Sequence, residues 1–214
     1  MSDVRSTSDV TYPQNEMPQL RTGWADENTT LVTISIGGND ARFAKVVSAC
    51  IDPLSVTFCL DPGFHLDGDS DPLVDSEPDV INNLLTPLTQ LYQNIHTLAP
   101  NAQIVVLGYP HPMTTGLAVS ADIACGLTNV PMRQWFAQMT DLLNSVTQQA
   151  VTAANVGAVF VNPTSTFAGP PAHEACVPDH SQEWINALTV LEKGTLHPDA
   201  TGHGAFASLI NAAL

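Results

Sequence analysis

The chain has 214 residues, 44% of them hydrophobic, which is enough for one folded core, and a single domain is the simplest count. Six Lys and Arg against 21 Asp and Glu leave a formal net charge of −15, which argues against nucleic acid or an anionic membrane surface as a primary partner. The chain holds no apolar span long enough for a membrane helix, so no integral membrane segment is expected.

Residues 1–22 contain no apolar run able to form a buried strand and no signal-peptide pattern; they read as a flexible segment ahead of a domain over 23–214. The first strand signal is Leu31-Val-Thr-Ile-Ser-Ile36, rich in β-branched residues and nearly continuously apolar, as in a parallel strand buried on both faces. Gly37 and Gly38 end it, and Asn39 then projects beyond the strand's carboxyl end, where α/β enzymes keep their ligands. An amide donor at that point suits an oxyanion; the same Gly-Gly-Asn also serves as ordinary turn chemistry.

An acidic stretch follows, with Asp61, Asp67, Asp69, Asp71, Asp75 and Glu77, and reads as a solvated loop. Its Asp67-x-Asp69-x-Asp71 spacing resembles the start of a calcium loop. Pro72 replaces the required glycine and Pro78 the bidentate glutamate, so a standard EF-hand is excluded and no metal site is assigned.

Leu84, Leu85, Leu88, Leu91, Ile95 and Leu98 form a helical stripe, with Thr86-Pro87 as a restart and Pro100 as a stop. Gln103–Leu107 is the next strand, which puts Gly108-Tyr109-Pro110-His111-Pro112 near the crevice at its carboxyl end. His111 is read there as a loop residue held between prolines, with no catalytic role. A helix starts near Pro131 and carries Trp135, Phe136, Met139, Leu142, Leu143, Val146 and Ala150 on its core face. Val156–Val161 is the third strand, and the loop after it holds His173-Glu174 and Asp179-His180, with His173 placed near the crevice mouth. That spacing is not the His-Glu-x-x-His of a zinc protease, and no phosphate loop or dinucleotide fingerprint is present, so no cofactor is expected.

The last motif is Gly194-Thr-Leu-His197-Pro-Asp-Ala-Thr-Gly-His203, followed by a helical apolar face at Phe206, Leu209, Ile210 and Ala213. Pro198 biases His197 to an extended conformation, so its imidazole sits in a loop feeding the terminal helix and can take and return a proton near neutral pH. Strands alternating with helices over the whole chain imply an α/β fold with a parallel sheet. Four cysteines fit an oxidising compartment, and the sequence by itself allows three pairings.

Gly37-Gly38-Asn39-Asp40 after a strand, with His197-Pro198 and Gly202-His203 before the last helix, resembles the third and fifth motif blocks of the SGNH (GDSL) hydrolases. Leu107-Gly108-Tyr109-Pro110, Phe167-Ala168-Gly169 through Cys176, and Trp184-Ile185-Asn186 look like the secreted actinobacterial lipase and esterase branch. The resemblance implies a flavodoxin-like three-layer α/β/α sandwich and a carboxylic ester hydrolase acting by acyl transfer to serine, then hydrolysis. It makes the partner a small-molecule or lipid ester. Asn39 is then the oxyanion donor and His197 the base. It also implies disulfides Cys50–Cys59 and Cys125–Cys176 and an extracellular location.

Two features depart from that pattern. Gly194 stands where the family usually has the aspartate of the triad; the similar branch orients its histidine with a main-chain carbonyl two residues upstream, here Thr195, and Asp199 is a poor substitute because Pro198 intervenes. The nucleophile block should precede the third block by many tens of residues, yet only 30 residues precede Leu31. Gly68-Asp69-Ser70 matches the nucleophile block by letters but lies after block three and follows no strand, so Ser70 is rejected and the nucleophile stays unknown. The expectation is an N-terminally truncated domain lacking its first two strands, with Leu31–Ile36 as an exposed edge open to self-association. The competing reading is a non-catalytic remnant or binding module of the same fold.

Overall fold

The structure, a computed structural model, describes residues 20, 23, 25–50, 58–116, 130–187 and 194–214. Most of the proposed flexible segment and Cys125 lie outside the described residues.

Among the described residues, three parallel strands form one sheet in the order β1 (Leu31–Ile34), β2 (Gln103–Leu107), β3 (Val159–Val161). Register pairs Val32 with Ile104 and Ile34 with Val106, and Val106 with Phe160, so these side chains share one face. Helices α3 (Leu85–Leu98) and α4 (Val130–Ala154) cover that face; Leu88, Leu91, Ile95, Ala150 and Val151 close a core on Ile104 and Val106. Pro87 lies in the first turn of α3, where its missing N–H breaks no helical bond. The terminal helix α6 (Ala200–Ala213) runs over β2 and β3 on the opposite face, which completes three layers.

The strand at 31–36 is shorter than its sequence suggests, and it is not buried on both faces. β1 stops at Ile34, its residues alternate exposed and half-buried, and among the described residues it pairs only with β2. Leu31 remains 41% exposed. Between the elements read directly from periodicity, β2 matches its expected limits and β3 begins at Val159, three residues late, because Asn155 and Gly157 take up positive φ in the turn before it.

The acidic stretch departs most from expectation. Asp75 and Glu77 belong to a helix, α2 (Leu73–Asn82), whose apolar residues Leu73 and Ile81 are buried, and Glu77 is itself buried. Beyond the sheet's carboxyl end lies a second core built from loops and helix ends. In it α1 (Phe43–Cys50) and the first turns of α4 meet Phe167 at the end of the short helix α5 (Thr164–Ala168), with Ile185 and Leu196 from the following loops. The Cys50–Cys59 disulfide is formed inside this core. Cys176, also buried there, is a disulfide half-cystine.

Candidate active site

The turn after β1 is wound by its own backbone: Ala41 N–H donates to the Gly37 carbonyl at 2.8 Å, Arg42 to Asn39 at 3.0 Å and Phe43 to Gly38 at 3.1 Å. Gly37 takes a φ of 109°, a region that side chains disfavour, which is why the chain can reverse here within one residue of the strand's extension. Asn39 is thereby left exposed at the carboxyl end of the sheet, on the rim of a cavity of about 830 Å³.

His197 reaches the same cavity from the loop before α6. Its Nδ1 lies 2.9 Å from the Thr195 carbonyl oxygen, so the tautomer that donates from Nδ1 leaves Nε2 with its lone pair available. The loop is held in shape by Asn186: its backbone N–H donates to the His197 carbonyl at 2.9 Å, its carbonyl accepts from Leu196 N–H at 2.9 Å, and its side-chain amide donates to the carbonyls of Gly194 and His197 at 3.2 and 3.0 Å. Leu196 sits at φ 57°, a strained conformation for a branched side chain, and is kept there by burial and by these bonds. Asp199 does not face the imidazole as a triad acid would. It caps α6, its carboxylate accepting from Gly202 N–H at 2.8 Å.

The cavity walls are mainly apolar and include Phe43, Val46, Trp135, Phe136, Met139 and Leu196. Phe136 stands at the centre of an aromatic cluster, edge-on to Phe43 at 6.5 Å and to Trp135 at 5.5 Å between ring centroids. Thr33 and Ser35 of the β1 segment and Phe206 and Ile210 of α6 also line it.

Other candidates fall outside the cavity. Ser70 is exposed in the loop before α2, its hydroxyl 3.4 Å from Asp71. His173 is not at the mouth; it stacks flat on Trp184, 3.5 Å between centroids and 3° between planes, with Nδ1 2.7 Å from the Gln182 carbonyl. His111 points away from the cavity that its flanking prolines line, to Asp141 at 2.8 Å and Glu174 at 3.4 Å. No group of three or more His, Cys, Asp or Glu suited to a metal ion occurs among the described residues.

Asn144 and Arg42 carry no sequence-based assignment, and Tyr109 enters the sequence reading only as part of a motif, with no role of its own. A signal existed for Asn144, which interrupts the buried stripe of α4 and is only 2% exposed. A polar residue in such a stripe needs partners. Arg42 reaches back from the Asn39 turn to Asp69 and Glu77, so the supposed solvated carboxylates include two that hold this turn.

Residues 5–205 match the GDSL-like Lipase/Acylhydrolase family. The chain belongs to that family. Among curated proteins it is similar to a lipase of Streptomyces rimosus, 33% identical over 180 residues, covering 83% of this chain and 57% of the relative. It is also similar to Lipase 1 of Streptomyces coelicolor, 32% identical over 193 residues, covering 89% of this chain and 63% of the relative. The chain thus spans about three-fifths of the length of these two GDSL-like relatives. Two solved structures share the fold: an extracellular lipase from Streptomyces rimosus (TM-score 0.66, 30% identity) and a phospholipase A1 from Streptomyces albidoflavus NA297 (TM-score 0.68, 27% identity). Each match covers 89% of this chain and 71% of the other.

Proposed function

We propose that this GDSL-like domain carries the oxyanion donor and the general base of a carboxylic ester hydrolase. The observation behind this reading is that Asn39 and His197, some 160 residues apart in sequence, line one largely apolar cavity. An ester whose acyl chain lies on Phe43, Trp135, Phe136 and Met139 would place its carbonyl carbon between the two polar groups. As the carbonyl oxygen gains charge, the Asn39 amide donates to it; because the amide is already positioned, little reorganisation is needed at the moment of reaction. His197, donating from Nδ1 to Thr195, accepts the nucleophile's proton at Nε2 and passes it to the leaving alkoxide. A carbonyl in place of a carboxylate fixes the tautomer equally well but stabilises the imidazolium less, since it brings a dipole and not a full charge.

No serine of the described chain is assigned the attack. Ser70 is remote, and Ser35, which lines the cavity, neighbours the Tyr109 hydroxyl. A p-nitrophenyl ester assay tests this: where turnover is found, Asn39→Ala should lower kcat by about 10²–10³ and His197→Ala should abolish it. Absence of turnover together with no fluorophosphonate labelling would instead favour the second reading, a non-catalytic module that keeps the cavity. Similarity to an extracellular lipase and the buried Cys50–Cys59 bridge support secretion, and the edge of β1 that has no strand partner among the described residues supports self-association by strand pairing with a second copy.

A further inference from the structure

Tyr109, half-buried, lines the cavity beside Gly38 and Asn39, and its hydroxyl accepts a hydrogen bond from the backbone N–H of Gly38 at 3.1 Å. That N–H belongs to the residue directly before Asn39. The contact is close: a methyl group at Gly38 would lie 3.2 Å from both the ring and the hydroxyl, so ring and turn are in van der Waals register as well as hydrogen-bonded. Desolvation raises the Tyr109 pKa, so the phenol keeps its proton at neutral pH, and Ser35 just past the strand is a further polar neighbour of the hydroxyl, with the Asp40 charge also acting on it. The phenol oxygen is therefore tied to both sides of the chain reversal that presents Asn39.

Tyr109 is itself held from the core. The fully buried side-chain amide of Asn144 brackets its backbone, accepting from Tyr109 N–H at 2.8 Å and donating to the Tyr109 carbonyl at 2.7 Å. This is the pairing of a neighbouring strand, supplied by one side chain of α4. Gly108 makes it possible, since a Cβ there would stand 2.5 Å from the Asn144 oxygen. Thr164 at the start of α5 adds longer contacts of 3.4 Å to the same carbonyl and to the Asn144 amide.

We infer that Tyr109 is a positioning residue for the oxyanion donor, and that Asn144, through Tyr109, sets the place of Asn39 from the core of α4. This rests on the proposed role of Asn39, and the test separates the two. Tyr109→Phe keeps the ring that packs on Gly38 and removes only the hydroxyl. In ¹⁵N-labelled protein, hydrogen exchange of the Gly38 amide should quicken at least tenfold, and the Asn39 side-chain amide resonances should shift or broaden, while the amides of β2 keep their protection. Asn144→Asp, nearly isosteric but without the donor to the Tyr109 carbonyl, should give the same signature in weaker form. In the assay, Tyr109→Phe should lower kcat with KM unchanged. Gly38 exchange and Asn39 resonances unaltered in both variants would overturn the inference, whether or not the protein turns over ester. A Gly38 effect in a protein without turnover would uphold it while removing the esterase reading.

Discussion

Arg42 shows how much one side chain can organise. It occupies a left-handed conformation, φ 54°, immediately after the Asn39 turn. Its guanidinium places one terminal nitrogen 2.7 Å from both Asp69 oxygens, and the other terminal nitrogen and Nε at 2.7 and 3.0 Å from Glu77. Asp69 also accepts from the Ser76 hydroxyl at 2.9 Å. The two carboxyls respond in opposite senses. Hydrogen bonds from Arg42 lower the pKa of Asp69, whereas burial raises that of Glu77 despite the same guanidinium. Removing Arg42 would leave Glu77, 2% exposed, as an unpaired buried carboxylate. Arg42→Ala should therefore cost about 3 kcal/mol in urea unfolding at pH 7, and Arg42→Ala with Glu77→Gln should recover part of it. Equal stability of the single variant and the parent would show that the pair is solvated in practice. The Asp69 contribution has a definite sign: its folded pKa lies below the ordinary 3.8, so it stabilises above that pH and fades as pH falls through the lowered value.

At the scale of elements, the loops at the sheet's carboxyl end are joined by His111. The ring bridges Asp141 on α4 and Glu174 in the loop after α5, and both contacts are donations only when the imidazole carries two protons. Its pKa is raised, first by the Glu174 carboxylate and then by Asp141. Glu174 weighs more although Asp141 is nearer, since the Glu174 side chain is 5% exposed and that of Asp141 58%. With a folded pKa above the ordinary 6.5, this staple contributes fully below pH 6.5 and is lost as pH rises through the raised value. Stability measured across that window should decline in the parent and stay flatter in His111→Gln; parallel curves would remove the staple. Such bridges mark where sequence reading stops. The period-3.6 stripes of α3 and α4 and the apolar run of β2 were legible because burial of a whole face writes itself into spacing. Asn39 and His197 stood out as candidates because each adjoins a local backbone signal, a diglycine before the one and a proline after the other. The partners of Arg42, His111 and Tyr109 lie 27 to 71 residues away, and no local pattern encodes a pairing that only the fold creates. Helix α2 was hidden for a related reason: its acidic composition and internal Pro78 argue for a loop, while the burial of Leu73, Glu77 and Ile81 decides otherwise.

The whole molecule sets an uncharged strand edge against a strongly acidic body. β1, Leu-Val-Thr-Ile, contributes no charge and among the described residues pairs along one side only, so its other side offers backbone donors and acceptors to a further strand. Two such edges are self-complementary in antiparallel pairing. The net charge of −15 on each copy opposes that approach, and the opposition is long-range and screened by salt, with a Debye length of about 30 Å at 0.01 M and about 10 Å at 0.1 M, whereas strand pairing is short-range and hardly screened. Association through β1 should therefore strengthen as salt is raised, the reverse of an assembly held by ion pairs. Sedimentation velocity should show a growing dimer or larger species between low and moderate ionic strength. Leu31→Lys, at a position already 41% exposed, should return the protein to monomer without loss of melting temperature, because it places a charge on the pairing edge and removes little from the core. A chain that sediments as a monomer at every salt concentration would mean that the edge is closed off in solution. A dimer that dissolves as salt rises would place the contact on charged surface elsewhere.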